Sequence, residues 1–271
     1  MKNVFLQYKL CGMKKPLILV TNDDGITAPG LRALVSFVKE IGEVVVVAPD
    51  SPQSGMGHAI TIDNLLYSKK MTLDLDQDES TVEYSCSGTP ADCVKLGLQE
   101  LLDRKPDLCV SGINHGSNSS INVIYSGTMS AAIEAGIEGI PAIGFSLCDY
   151  KWEADFSPAK NFIQQIVREA LENGIPTGVV LNVNIPKLEA KKIKGIKICR
   201  QARANWKEKF DKRTSPTGKE YYWLTGEFEL LDKGEDTDEW ALANGFISVV
   251  PTQFDLTAHH AIQTINNWKL N

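Results

Sequence analysis

The chain has 271 residues, of which 43% are apolar and 23% charged, a composition typical of a globular protein with a large core. Its 28 basic and 34 acidic residues give a formal net charge of −6, which argues against binding to nucleic acid polymers or to anionic membranes. No apolar run approaches membrane-spanning length, and the first residues lack the apolar core of a signal peptide. The expectation is therefore a cytoplasmic protein.

The first half of the chain alternates between strand-like and helix-like segments. Residues 1–13 are predicted to be an N-terminal extension, because a second methionine precedes the first strand-like run, PLILVT at residues 16–21. After the loop NDDGITAPG, apolar residues recur on one helical face, and Pro29 suits the first turn of that helix. The next run, EVVVVAPD, has four consecutive valines, which is typical of a strand covered on both faces.

The same alternation continues to about residue 185. Residues 59–86 predict shorter strands separated by the acidic turn DLDQDES, and a helix is predicted to begin at Thr89, with Asp92 nearly completing a capping box. The later segments are a strand in PDLCVSG, a helix in YSGTMSAAIEAGIEG, a strand in PAIGFSL, a helix at residues 158–173 and a strand in VVLNVNIP. This order predicts an α/β protein with a doubly wound, mostly parallel sheet.

The character of the sequence changes at about residue 190. The segments KGIKICRQA, KEYYWLTGEFEL and GFISVVPTQFD predict β-hairpins and a short helix built onto the main domain. We therefore predict a main domain at residues 14–190 and a C-terminal β-hairpin region at residues 191–271. A long hairpin is marginal alone in water, so it is expected to pair with another subunit or to fold back on its own domain.

Two adjacent carboxylates, Asp23 and Asp24, follow the first strand. A lone pair of this kind is more often a helix cap beside a solvated neighbour. However, ligands of doubly wound sheets bind at the carboxyl ends of the strands, where several loops meet. A divalent cation at this edge would be neutralised by the two carboxylates, and their oxygens suit Mg²⁺, Mn²⁺ or Ca²⁺ better than zinc.

Neighbouring loops offer further oxygen ligands. Ser54 lies in a glycine-bracketed loop after the second strand, and Asn114 ends the strand PDLCVSG. Each of them alone is more simply explained as part of a surface turn. Their common position at strand ends is what favours a single site.

The segment Ser126, Gly127 and Thr128, here named the cradle, precedes a helix rich in small residues. Backbone N–H groups at a helix start bind anions such as phosphate, although a plain helix cap explains this motif about equally well. The segment SGTPAD at residues 87–92 offers the same residue types at another helix start. There, capping is the better interpretation.

Five ordered motifs resemble the SurE (survival protein E) family: LVTNDDGITAPGLRAL, APDSPQSGMGHAIT, CSGTPADCV, PDLCVSGINHGSNSSINVIYSGTMSAA and LNVNIP. The resemblance implies a Rossmann-like catalytic domain with a C-terminal β-hairpin appendage that takes part in oligomerisation. It also implies a metal-dependent nucleotidase that releases phosphate from nucleoside 5′-monophosphates, in some members also from 3′-nucleotides and short polyphosphate. One divalent cation per subunit, Mg²⁺ or Mn²⁺, and a homodimer or homotetramer are expected.

Transferred residue by residue, the resemblance makes Asp23, Asp24, Ser54 and Asn114 the metal ligands. Asp23 and Asp24 are then the catalytic residues, with Asp23 as the expected proton acceptor. Asn114 and the three cradle residues Ser126, Gly127 and Thr128 would contact the substrate phosphate. Asn122 stands where the family pattern leads us to expect an aspartate, which removes a charge close to the site, and we expect this difference to bear on substrate preference. His58 either protonates the leaving oxygen or is a loop histidine without a catalytic role.

Two other classes of protein share parts of this pattern. A phosphorylation switch also holds Mg²⁺ with acidic residues after its first strand, and Asp50 would be its acceptor. The chain is long for such a switch and lacks a lysine at the end of PAIGFSL. A nucleotide-binding protein without chemistry is less favoured still, because the glycines of the first loop have the wrong spacing for dinucleotides.

Six cysteines are spaced far apart and form no C-x-x-C pair. This spacing predicts reduced thiols in the core rather than zinc ligands. They are Cys11, Cys86, Cys93, Cys109, Cys148 and Cys199.

Overall fold

The computed structural model of the chain describes residues 14–72 and 81–270. The predicted extension at residues 1–13 and the predicted acidic turn at residues 74–80 lie outside the described residues. The strands are β1 (Leu17–Thr21), β2 (Glu43–Pro49), β3 (Ser68–Met71), β4 (Thr81–Cys86), β5 (Leu108–His115), β6 (Ala142–Leu147), β7 (Val179–Ile185), β8 (Ile196–Ile198), β9 (Ala204–Thr214), β10 (Glu220–Leu230) and β11 (Ile247–Gln253). The helices are α1 (Pro29–Val38), α2 (Pro90–Leu96), α3 (Gly127–Ile137), α4 (Lys160–Asn173), α5 (Asp238–Ala243) and α6 (His259–Asn266).

A mostly parallel sheet forms the centre of the molecule. Within the described ranges its strand order is β3-β4-β2-β1-β5-β6-β7-β11-β8. The strands from β4 to β7 run parallel to one another, whereas β3 and β11 pair antiparallel with β4 and β7. The predicted α/β class with a doubly wound, mostly parallel sheet is confirmed.

Helices cover both faces of this sheet, which explains why the apolar runs of its inner strands β1 and β2 do not alternate with polar residues. On β1, Ile18 and Val20 pack against one core that includes residues of α1 and α4. Leu19 points to the opposite face and belongs to a second core with residues of α2 and α3. All three side chains are fully buried. A polar residue in the middle of β1 would therefore be placed in one core or the other.

The strand order places the proposed ligands together. The chain moves from β1 outward to β2 and β4, then crosses back to β5 on the other side of β1. The carboxyl ends of β2, β1 and β5 are therefore neighbours, with Val20 level with Val46 and Thr21 level with Ser111. Such a reversal of strand order leaves a crevice at the carboxyl ends, where doubly wound sheets bind ligands.

The central sheet continues past residue 190. Strand β8 pairs with β11, and β11 pairs antiparallel with β7, so GFISVVPTQFD is a strand of the main sheet and not part of a separate hairpin. Sequence reasoning missed this because β11 finds its partner more than 60 residues away. One predicted hairpin is confirmed, since β9 and β10 form their own antiparallel pair. Residue 190 as a domain boundary stays a prediction.

The hairpin β9–β10 differs from the central sheet in its exposure. Its large apolar side chains face solvent, among them Phe210, Tyr222, Trp223 and Leu224. Exposed apolar surface of this extent is typical of an interaction surface. In the part of the chain that the structure describes, no helix has the length and apolarity needed to span a membrane.

Candidate functional site

The loop after β1 holds two carboxylates at the crevice. Asn22 donates its side-chain N–H to the carbonyl oxygen of Gly25 at 3.0 Å, and Gly25 adopts a φ of 101°, which glycine tolerates best. The N–H of Ile26 donates to the Pro49 carbonyl at the end of β2. This tight turn places Asp23 inside the protein, with 4% of its surface exposed, and leaves Asp24 half-buried.

Burial makes the charges of both carboxylates costly. Burial, together with the neighbouring charge of Asp24, raises the pKa of Asp23 to about 6, although hydrogen bonds from Thr128 act in the opposite direction. Burial also raises the pKa of Asp24, and His115 partly offsets that effect. A bound cation would stabilise the ionised form of both carboxylates, so the pair is well suited to bind one.

The cradle lies directly against Asp23. The hydroxyl of Thr128 donates to the Oδ1 atom of Asp23 at 2.5 Å. A Cβ atom added to Gly127 would lie 2.6 Å from the Cβ of Asp23 and 2.8 Å from its Oδ2, so only glycine fits here. Ser126 is the N-cap of α3 and accepts the N–H of Met129 at 3.0 Å. The start of α3 and the aspartate thus form one packed unit.

Ser54 lies in the loop that follows β2, beside the same unit. The N–H of the preceding residue, Gln53, donates to the backbone oxygen of Asp23 at 2.7 Å. Farther along, Gly57 donates its N–H to the Tyr125 carbonyl, just before the cradle. The loop therefore joins the end of β1 to the residues before α3, and the exposed Ser54 lies between these two anchors.

Asn114 and His115 bring the end of β5 to the second carboxylate. The amide nitrogen of Asn114 donates to the Gly116 carbonyl at 2.9 Å, which leaves its Oδ1 as the acceptor atom. The N–H of His115 approaches Asp24 Oδ2 at 3.5 Å. The structure therefore brings Asp24 and Asn114 to the same edge. His115 and the bond between Thr128 and Asp23 were missed by sequence reasoning, because no local pattern marks contacts across 91 and 105 residues.

This donor set fits a hard divalent cation. It offers carboxylate oxygens from Asp23 and Asp24 and neutral oxygens from Ser54 and Asn114, the ligand types that Mg²⁺ and Mn²⁺ prefer. Among the described residues, no cluster of three or more His, Cys, Asp or Glu side chains is present, as a zinc centre would usually require. The five described cysteines are free thiols, as expected, while Cys11 lies outside the described residues.

His58 is held away from the proposed chemistry. Its Nε2 atom lies 2.7 Å from Glu134 Oε2, and Lys95 pairs with the other oxygen of Glu134 at 2.6 Å. Glu134 is seven residues beyond Gly127, about 10 Å along the helix axis. This geometry favours the interpretation of His58 as a residue that anchors its loop to α3.

Asn122 is also hydrogen-bonded, because its Oδ1 accepts the indole N–H of Trp206 from β9 at 2.8 Å.

At the start of α2, Thr89 and Asp92 form the complete capping box that the sequence nearly predicted. Asp92 additionally accepts the Thr61 hydroxyl at 2.6 Å. The Asp92 carboxylate therefore already accepts hydrogen bonds from Thr89 and Thr61, and the capping interpretation of SGTPAD is confirmed.

Comparison with known proteins gives consistent matches. The family model described as survival protein SurE matches residues 18–208, more than half of the chain. A relative from Flavobacterium johnsoniae named 5′-nucleotidase SurE is 70% identical over 258 residues, covering 95% of this chain and 98% of the relative. A relative of the same name from Bacteroides fragilis is 46% identical and covers 95% and 99%. The crystal structure of the SurE protein from Aquifex aeolicus superposes with a TM-score of 0.79 at 41% identity, covering 93% of this chain and 98% of that one.

Proposed function

The chain belongs to the SurE family, and from this premise we propose how its site carries out the reaction of a nucleotidase. It is a 5′-nucleotidase, a phosphomonoesterase that converts nucleoside 5′-monophosphates to nucleoside and phosphate. The observation that carries the residue assignment is the contact between Asp23 and the start of α3. It places a buried carboxylate beside N–H groups that favour an anion.

Nucleotidases of this family depend on a metal ion. For this chain we propose one Mg²⁺ or Mn²⁺ ion per subunit, held by Asp23, Asp24, Ser54 and Asn114. When bound, such an ion neutralises charge on the phosphate and acts as a Lewis acid. The raised pKa values of both aspartates support this assignment, since ion binding would stabilise the ionised carboxylates that burial disfavours.

Residues of the cradle bind and orient the phosphate. The hydroxyl of Ser126 accepts a helix N–H and keeps its own hydrogen for donation to a phosphate oxygen. The N–H of Gly127, at the first position of the helix, has no acceptor inside the helix. Thr128 acts mainly by holding Asp23, because its hydroxyl donates to that carboxylate. These fixed donors stabilise the charge of the transferring phosphoryl group.

Asp23 accepts the proton of the attacking water. Its carboxylate touches the start of α3, where the phosphate is proposed to bind, and this position suits a base that acts on the attacking water. The hydrogen bond from Thr128 fixes the orientation of this carboxylate. The attack then expels the nucleoside oxygen in line with the incoming water, and that oxygen takes up a proton from solvent to give the nucleoside hydroxyl.

The finer properties of the enzyme are also proposals. We expect 3′-nucleotides and short polyphosphate to be additional substrates, and we expect neither a nucleic acid polymer nor a membrane as partner. The exposed apolar side chains of the β9–β10 hairpin support a homodimer or homotetramer. We also propose a cytoplasmic location. Light scattering at micromolar concentration should give at least twice the monomer mass, and a monomer would contradict this expectation.

Phosphate release from a substrate panel tests the proposed function. The panel contains 5′- and 3′-nucleoside monophosphates and tripolyphosphate, each assayed after chelation and again with Mg²⁺ or Mn²⁺ restored. We expect 5′-nucleotides to be the best substrates and chelation to abolish turnover reversibly. Metal-independent hydrolysis, or the absence of hydrolysis of every nucleotide, would contradict the proposal.

A further inference from the structure

Asp238 is a fully buried carboxylate that the proposed reaction does not use. It begins α5 and accepts three backbone N–H groups: Ser120 at 2.7 Å, Ala202 at 2.9 Å and its own neighbour Glu239 at 2.8 Å. Ser120 and Ala202 belong to segments 82 residues apart in the chain. Backbone hydrogen bonds to a buried carboxylate are strong, so Asp238 ties these two segments firmly together.

The tie fixes an unusual backbone conformation. Ser120 has a φ of +53°, the only described residue other than glycine with a positive value. Such a conformation is rare for a residue with a side chain and persists when its surroundings hold it. Here the Ser120 N–H donates to Asp238, and its hydroxyl donates to the Ala202 carbonyl at 2.9 Å. Ala202 is thus bound at both its N–H and its carbonyl.

The held turn leads directly into the cradle. A short 3₁₀ helix runs from Ser120 to Ile124. Its backbone hydrogen bonds continue to the cradle, because the Tyr125 N–H donates to the Asn122 carbonyl and the Ser126 N–H donates to the Val123 carbonyl. On the outside of this turn, Asn122 accepts the indole N–H of Trp206. The position of Ser126 is therefore set from two sides. One side is the contact with Asp23, and the other is the turn held by Asp238.

We propose that Asp238 is a positioning residue of the nucleotidase site, which keeps the cradle in place for the substrate phosphate by fixing the turn at Ser120. The inference rests on the proposed function of the cradle. Contacts of the cradle with phosphate exist in both the bound substrate and the transition state, so loosening the turn should raise KM more than it lowers kcat. The bond between Thr128 and Asp23 lies inside α3, beyond the turn that Asp238 fixes, so metal affinity should not change.

Asp238→Asn tests the proposal, because it replaces one carboxylate oxygen by an NH₂ group, which cannot accept a backbone N–H. We expect KM for adenosine 5′-monophosphate to rise about tenfold, the size of effect that corresponds to one lost charge-assisted hydrogen bond, here a backbone bond to Asp238. The change in kcat should be less than about threefold. Mn²⁺ affinity measured by calorimetry should stay within about twofold. Asp236→Asn is the matched control, since this exposed carboxylate two residues away pairs with Arg200. It should leave KM unchanged.

Two milder variants keep the test valid if Asp238→Asn does not fold. Ser120→Ala removes the bond to Ala202 but keeps the N–H bond to Asp238, and Trp206→Phe removes only the bond to Asn122. Both should raise KM by less than Asp238→Asn while leaving Mn²⁺ affinity unchanged. An unchanged KM in folded Asp238→Asn, or in both milder variants, overturns the proposal, as does a parallel loss of metal affinity. If the wild type hydrolyses no nucleotide, the proposed function itself fails.

Discussion

The tripeptide Ser-Gly-Thr occurs at the start of two helices, directly before the first residue of α2 and across the N-cap and first turn of α3, yet the two starts differ in chemistry. At α2 the carboxylate that satisfies the helix start comes from the helix itself, since Asp92 accepts the Thr89 N–H at 2.9 Å and completes a capping box. The first turn of α3 contains no acidic residue. Its carboxylate comes from the end of β1, where Asp23 accepts the Thr128 hydroxyl.

The difference shows what converts a helix cap into a site. At α2 the side chains of Thr89 and Asp92 accept N–H groups of the helix start, so these donors need no ligand. At α3 the nearby carboxylates belong to another element, Asp23 is buried and Asp24 half-buried, and burial raises the pKa of both. The same residue types therefore stabilise a helix in one place and form part of a proposed metal and phosphate site in the other. Matched substitutions at the two helix starts should separate stability from activity.

The largest difference is expected between the carboxylates at the two helix starts, Asp23 beside α3 and Asp92 in α2. Asp23→Asn should lower kcat/KM about a thousandfold or more, because it removes a proposed metal ligand, and a bound ion contributes several kcal/mol to transition-state stabilisation. Asp92→Asn should leave kcat/KM nearly unchanged and lower the melting temperature instead. Phosphate release and thermal unfolding measure both. Wild-type turnover of Asp23→Asn at saturating Mn²⁺ would show that the ligand assignment is wrong.

A methyl group at either glycine gives the next largest contrast. Gly127→Ala places Cβ 2.6 Å from the Cβ of Asp23, so the aspartate or the helix must shift. A displacement of about 1 Å costs on the order of a hundredfold in activity. Gly88→Ala meets Leu66 and Asp92 at 2.6 and 2.7 Å and should destabilise the fold instead. Steady-state kinetics of the two folded variants should differ, and equal losses of activity would contradict this account.

Removing the threonine hydroxyls should have a smaller effect. Thr128→Val deletes the donor that orients Asp23, so kcat/KM should fall about tenfold, as for other groups that orient metal ligands. The loss should also raise the pKa of Asp23, because that hydrogen bond lowers it. Thr89→Ala removes a helix cap worth about 1 kcal/mol and should change only the free energy of unfolding. A loss of activity in Thr89→Ala as large as in Thr128→Val would remove the distinction between the two helix starts.

The pH dependence of metal binding should reflect the raised pKa of Asp23. A carboxyl group is protonated below its pKa, and a protonated carboxyl does not bind a cation, so affinity should decrease as pH falls through about 6. From pH 7 to pH 5 the expected loss of Mn²⁺ affinity is about tenfold for one competing proton. Calorimetry at three pH values measures this, and an affinity that does not change across the range would disagree with it.

The smallest effect is expected for His58→Ala. Its ring contacts Glu134, and the loop keeps its backbone anchors when the ring is removed, since Gln53 still donates to Asp23 and Gly57 to Tyr125. A change in kcat of less than about threefold is expected, in line with the modest contribution of a single partly exposed polar contact. A loss as deep as that of Asp23→Asn would instead make His58 the catalytic acid.

Much of the fold and part of the site could be predicted from sequence. The apolar runs of β1, β2, β5 and β6 revealed buried parallel strands, and the rule that ligands bind at their carboxyl ends placed Asp23 near Asn114. The pairing of β11 with β7 and the bond between Thr128 and Asp23 could not be predicted, because both depend on contacts between distant segments. Asp238 lies in the acidic stretch DKGEDTDEW, and nothing in that local sequence marks its contacts with Ser120 and Ala202.

The central claim is that a divalent cation binds between Asp23 and Asp24 beside the start of α3. Anomalous diffraction from crystals of the wild-type protein soaked in Mn²⁺ tests this claim most directly. We predict one strong peak per subunit, about 2–2.6 Å from oxygen atoms of both aspartates, as is usual for hard cations. A peak at another position, or none at these carboxylates in an active enzyme, would contradict the account.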